Sequence, residues 1–133
     1  MALGPLILHY PFFGGVQRTA YELRLFNDPI LPLSGTDRLG DLALPIRVDR
    51  DHNYSNPMAD DDHSSDNCVQ IRELGWRLYP WIHRQVEFAE MLKKKGVQVI
   101  GQFTQGDCHG VAMSDLSKGD SLFVFLKDFI ECN

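Results

Sequence analysis

The residues best suited to chemistry lie in three polar stretches. The first is Asp49-Arg50-Asp51-His52-Asn53-Tyr54-Ser55, with Asp60 beyond it. Oxygen side chains at alternate loop positions follow the logic of a calcium site, because a hard cation takes its oxygens from a sharply turning loop. Asp49, Asp51, Asn53 and Asp60 are the ligands this reading gives. Two positions depart from it. Tyr54 stands where a glycine makes the turn, and Asp60 where a longer glutamate gives bidentate reach. A solvated polar loop is the competing reading. The second stretch offers His52 and His63 with Asp60, Asp61 and Asp62. Transition metals need three or four N, O or S ligands that outer hydrogen bonds hold in place. This loop supplies ligands but little rigidity, and no His-Glu-x-x-His spacing occurs.

The third stretch is Gly106-Asp107-Cys108-His109-Gly110. A cysteine in a glycine-flanked turn can be an exposed nucleophile, with His109, His83 or His63 as its base. Adjacent Cys and His side chains diverge on a strand or turn, however. A small buried thiol is the plainer reading. Trp76, Tyr79 and Trp81 form an aromatic cluster. Tryptophan marks binding hot spots and equally anchors helices on sheets. Trp81 fits a core row, whereas Trp76, beside Gly75, is the candidate for contact with a partner. No phosphate loop, dinucleotide fingerprint, nucleophile-elbow serine or paired-cysteine zinc pattern occurs.

Charge is concentrated. The 133 residues carry a net charge of −5, and six aspartates and one arginine between Asp49 and Asp66 account for all of it. Elsewhere acidic and basic groups balance. Such a surface disfavours nucleic acid and anionic lipid, and favours a basic partner. Three cysteines, Cys68, Cys108 and Cys132, make no disulfide framework and fit a reducing, cytoplasmic setting. No stretch approaches the ~20 apolar residues of a membrane span. The apolar run at Met1–Tyr10 is broken by Pro5 and has no basic residues before it, so it does not read as a signal peptide.

The elements that must position these residues follow from periodicity. Leu6 to Tyr10 reads as a strand. Val16 to Phe26 reads as a second, with Tyr21, Leu23 and Leu25 alternating with Ala20, Glu22 and Arg24, and Gly14-Gly15 would turn a hairpin between them. Residues 28–40 read as loop. Asp41 to Val48 alternates again, with Pro45 placing it at a sheet edge. Residues 49–67 are too polar to order themselves by burial. Cys68 to Leu78 suggests a strand. Pro80 to Lys95 is the clearest helix, with Pro80 in its first turn, Lys93, Lys94 and Lys95 at its end and Gly96 as its terminator. Those lysines complement the helix dipole, which accounts for them without nucleic acid. Val97 to Phe103 reads as a strand, and Val111 to Met113 as a short one. Leu122, Phe125, Leu126, Phe129 and Ile130 fall at helical spacing, with Asp120 or Ser121 as cap, although a buried strand also fits Leu122–Leu126.

These expectations combine into one α+β domain over residues 1–133. An antiparallel sheet of about four to six strands carries the 80–95 helix on one face, and a C-terminal helix or buried strand completes it. With no convincing catalytic set, the expected function is a small non-catalytic module of inhibitor or immunity type. It would hold a basic protein partner through Asp60, Asp61, Asp62, Asp66 and Trp76, without a cofactor. The alternative is a metal-dependent or thiol enzyme using the 49–66 loop, with a divalent cation, or Cys108.

Overall fold

A computed structural model describes residues 6–29, 31–59, 69–74, 82–104 and 111–131. Its strands are β1 (Leu6–His9), β2 (Val69–Leu74) and β3 (Val99–Thr104). Its helices are α1 (Ala20–Arg24), α2 (Leu33–Ala43), α3 (Ile82–Lys94), α4 (Val111–Ser114) and α5 (Leu116–Glu131).

The described strands form one three-stranded sheet in the order β1-β2-β3, parallel throughout. Leu8 stands beside Ile71, and Ile71 beside Gly101. The expected antiparallel sheet of four to six strands is therefore wrong. Parallel neighbours need a crossover, and here each crossover contains helix. The unit β2-α3-β3 is one such crossover. The chain between β1 and β2 is another, and it contains α1 and α2.

The 80–95 helix and the strands at its two sides are where the sequence placed them. α3 buries Ile82, Gln85, Ala89 and Leu92, one row at helical spacing. Ala89, Leu92 and Val97 form the core cluster, with Leu8, Phe88, Met91 and Val99 packed around it. The helix stops at Gly96, whose φ is +83°. Gly96 N–H donates to Lys93 O and Val97 N–H to Leu92 O, both at 3.0 Å. That is a Schellman termination, and Val97 folds back on Leu92 as the motif requires.

Three expected strands give way wholly or in part to helix. The Val16–Phe26 alternation gives way to α1, which Thr19 and Glu22 start as a capping box. Glu22 N–H donates to Thr19 Oγ1 at 3.2 Å, and Thr19 N–H to Glu22 Oε2 at 2.7 Å. Two backbone donors satisfied at once outweigh a short alternating run. Gly14-Gly15 accordingly turns no hairpin. The 28–40 loop and the start of the 41–48 strand are replaced by α2, whose buried residues are Thr36 and Gly40. It packs through small side chains, while Leu39 and Leu42 are exposed. Residues 111–114 are helix and not strand. The C-terminal segment is helix, but it begins before the expected cap. Asp115 Oδ1 accepts from Ser117 N–H at 2.9 Å and from its hydroxyl at 2.7 Å. Among the described residues no helix is long and apolar enough to cross a membrane.

Candidate functional site

In an open parallel α/β sheet, ligands bind in the crevice outside the carboxyl ends of the strands. Here those ends lead into residues 10–19, 75–81 and 105–110. The first of these segments is described in full. It leaves β1 through Tyr10, whose φ of +51° is left-handed. A non-glycine residue there is held by its surroundings at a cost of about 1–3 kcal/mol.

α3 and the 49–59 turns grip this segment along its length. Gln85, fully buried, donates from Nε2 to Pro11 O. Phe13 packs its ring on Phe88, centroids 4.7 Å apart. Gly14 N–H donates to Ser55 O at 2.8 Å. Val16 N–H donates to Asp51 Oδ1 at 3.0 Å. Arg84 donates from Nη2 to Gln17 O and reaches Glu22 Oε2 at 3.0 Å. Glu22 and Arg84 are both buried. Arg18 continues the network outward, to Glu22 at 3.4 Å and to Asp37 at 2.6 Å, and Arg50 meets Asp37 at 2.5 Å. The α1 capping carboxylate thus also holds the guanidinium that fixes the strand-end segment.

Both glycines are required by close approach. A Cβ on Gly15 would fall within contact distance of the Arg84 guanidinium, and one on Gly14 would fall on Ser55 Oγ. Gly15→Ala will therefore destabilise the fold by about 1–3 kcal/mol, the cost of overpacking. By contrast, a Cβ on Gly40 meets nothing within 4 Å. Gly40→Ala, inside a helix, will stabilise by roughly 0.5–1 kcal/mol. Urea unfolding of the two variants beside the parent measures both changes, and equal midpoints would contradict the packing argument.

Asp51 acts as a hydrogen-bond acceptor for this segment. Its pKa lies below 3.8, first because of the Val16 N–H and then because of the Asn56 side chain, which donates to it at 3.0 Å. A depressed folded-state pKa contributes stability that is present above the unfolded value and is lost as pH falls through the folded one. The stability difference between the parent and Asp51→Asn will therefore be constant above about pH 5 and shrink below pH 3.8. Denaturant titrations between pH 2.5 and 7 provide the check. A difference that grew in acid would have the wrong sign.

The residues singled out from sequence distribute unevenly. Asp49 Oδ1 accepts from Asp51 N–H at 3.0 Å, closing a turn, and Asn53 is exposed in the next turn. His52 accepts Tyr54 N–H on Nδ1 at 3.2 Å. Among the described residues, no group of three or more His, Cys, Asp or Glu side chains could hold a metal ion. Asp60, Asp61, Asp62, His63, Asp66, Trp76, Tyr79, Trp81, Cys108 and His109 lie outside the described residues. His83 is exposed on α3, with its ring 4.5 Å from that of Tyr21. Sequence reasoning passed over Glu22, Arg84 and Gln85. Only Glu22 carried a signal, as the fourth residue of Thr19-x-x-Glu22.

No family model matches the chain. It is 44% identical over 132 residues to carboxylesterase 20 of Arabidopsis thaliana, covering 94% of this chain and 40% of that protein. It is 41% identical over 130 residues to 3-O-acetylpapaveroxine carboxylesterase CXE2 of Papaver somniferum, covering 94% of this chain and 42% of that protein. Probable carboxylesterase 9 of Arabidopsis thaliana is 31% identical over 126 residues, with 39% of its length covered. The chain thus spans about 40% of the length of the curated relatives it matches. These likenesses overturn the reading of the chain as a non-catalytic inhibitor or immunity-type module. The relatives at 41–44% identity over most of the chain are named carboxylesterases.

Proposed function

We propose that this chain forms the acid–base side of an ester-hydrolysing site of the α/β-hydrolase kind. The observation that carries the reading is the 44% identity to a carboxylesterase along 94% of the chain. The parallel sheet supports it, because hydrolases of this kind set their catalytic groups at the carboxyl ends of parallel strands.

Their catalytic residues follow the chain order serine, then aspartate or glutamate, then histidine. His109 is the last of the five histidines and comes five residues after β3. It is the residue we assign as general base. In that role its imidazole takes the proton from a serine hydroxyl as the oxygen attacks the ester carbonyl. It then returns the proton to the departing alcohol. A water molecule repeats the sequence to free the acid. The 133 residues contain no Gly-x-Ser-x-Gly. In this proposal the serine belongs to the further length that the relatives possess. Residues 75–81, which follow β2, contain no carboxylate. The acid that orients His109 therefore comes from another segment. The 10–19 segment, gripped by Arg84 and Gln85, is a fixed wall at the carboxyl end of β1. No cofactor takes part in this scheme.

The test is a graft. These residues replace the matching part of carboxylesterase 20, and hydrolysis of p-nitrophenyl butyrate is followed by absorbance. Turnover above the uncatalysed rate, in a graft that melts cooperatively, is the expected result. A graft that folds and gives no turnover would refute the assignment.

A further inference from the structure

A cavity of about 340 Å³ opens between α1 and α3, lined by Tyr21, Ile82, His83, Val86 and Glu87. That size is at the lower end of small-molecule sites, which are concave and mostly apolar with few polar groups. The α3 residues lie on two adjacent rows of one helix face. Ile82 and Val86 supply aliphatic walls. Tyr21 and His83 supply a ring pair, centroids 4.5 Å apart and tilted by 59°. The two helices are fixed to each other through the buried Glu22–Arg84 pair at 3.0 Å, so the cavity is built into the fold.

Among the described residues its one carboxylate is Glu87, which is exposed. Among the described residues no ion pair engages it. Arg84, one turn before it, is directed to Glu22 and Gln17. Met91, one turn after it, carries no charge. On its far side Glu87 borders a second groove with Glu90, Met91, Lys94 and Lys95, where two carboxylates and two ammonium groups balance. The cavity therefore joins an aromatic and aliphatic floor to one carboxylate at its rim. A ring in the floor gains burial and stacking. An ammonium at the rim meets a carboxylate and the face of a tyrosine.

We propose that this cavity binds a small aromatic amine in its protonated form, with the ring against Tyr21 and His83 and the ammonium at Glu87. The inference concerns binding and not turnover, so it stands or falls apart from the hydrolase reading.

The experiment uses the full chain and three probes of one shape: 2-phenylethylamine, 2-phenylethanol and 3-phenylpropionate. Each is titrated at pH 8 while the Tyr21 and His83 ring resonances are followed by NMR. Saturable shifts are expected for the amine, with Kd below about 1 mM, an affinity within reach of so small a ligand. The alcohol will bind about tenfold more weakly, and the carboxylate more weakly still. Glu87→Gln, an exposed isosteric change, will bring the amine to the level of the alcohol. Tyr21→Leu will weaken amine and alcohol alike. Absence of saturable shifts overturns the proposal. So do equal affinities for amine and alcohol, or amine binding that Glu87→Gln leaves intact.

Discussion

Arg84→Met will unfold at a temperature about 10–20 °C below the parent, from a loss of roughly 3–5 kcal/mol. The size follows from what remains. Glu22, 1% exposed, is left with the Thr19 N–H at 2.7 Å and a long contact to Arg18 at 3.4 Å. A buried carboxylate deprived of its guanidinium has lost most of the compensation for leaving water. Gln17 O also loses its donor. The decisive comparison is the double variant Glu22→Gln, Arg84→Met. It removes both charges and will recover at least half of the loss. Differential scanning calorimetry of the parent, both single variants and the double variant measures the coupling. A single Arg84→Met change below about 1 kcal/mol would show a surface-like pair, contrary to the burial described here.

His109→Ala carries the largest effect on activity. In the graft with carboxylesterase 20, it will lower kcat/KM for p-nitrophenyl butyrate by about 10²–10⁴, the usual contribution of a positioned general base. His109 follows β3, which lies parallel to β2 and leads out at the same end of the sheet as the segment gripped by Arg84 and Gln85. The melting temperature will stay within a few degrees of the graft's own. His109→Gln will be as inactive as the alanine variant, because a carboxamide cannot take the proton. A loss below about threefold would remove His109 from the role.

Part of this account was legible in the sequence. The 80–95 helix and its end were, because Lys93–Lys95 and Gly96 state local preferences that the structure honours, while Pro80 lies outside the described residues. β1, β2 and β3 were legible as strands, but their direction was not. Alternation has a period of two in parallel and antiparallel sheets alike. Direction is set by the path between strands, and that path was misread. Thr19-x-x-Glu22 did signal a helix start, but the six alternating residues Ala20 to Leu25 that overlap it gave a competing strand signal. In α2, Ser34, Asp37, Arg38 and Asp41 share one helical face, but the Pro, Gly, Ser and Asp content of the stretch read as loop. The grip on the 10–19 segment was the least legible feature. It depends on Arg84 and Gln85 meeting residues 67 and 74 positions away in the chain, contacts that no local pattern encodes. The acidic 49–66 stretch misled the functional reading. Its charge was conspicuous, whereas Asp51 and Ser55 serve the neighbouring backbone.

The most direct measurement of the central claim is a crystal structure of the graft after covalent trapping by a phosphonate ester. The account predicts the phosphonyl group at the carboxyl ends of β1, β2 and β3. A His109 ring nitrogen should lie within hydrogen-bond reach of it, and the 10–19 segment should stand alongside as a wall. A phosphonyl group trapped at the opposite ends of the strands, or with His109 remote from it, would contradict the account.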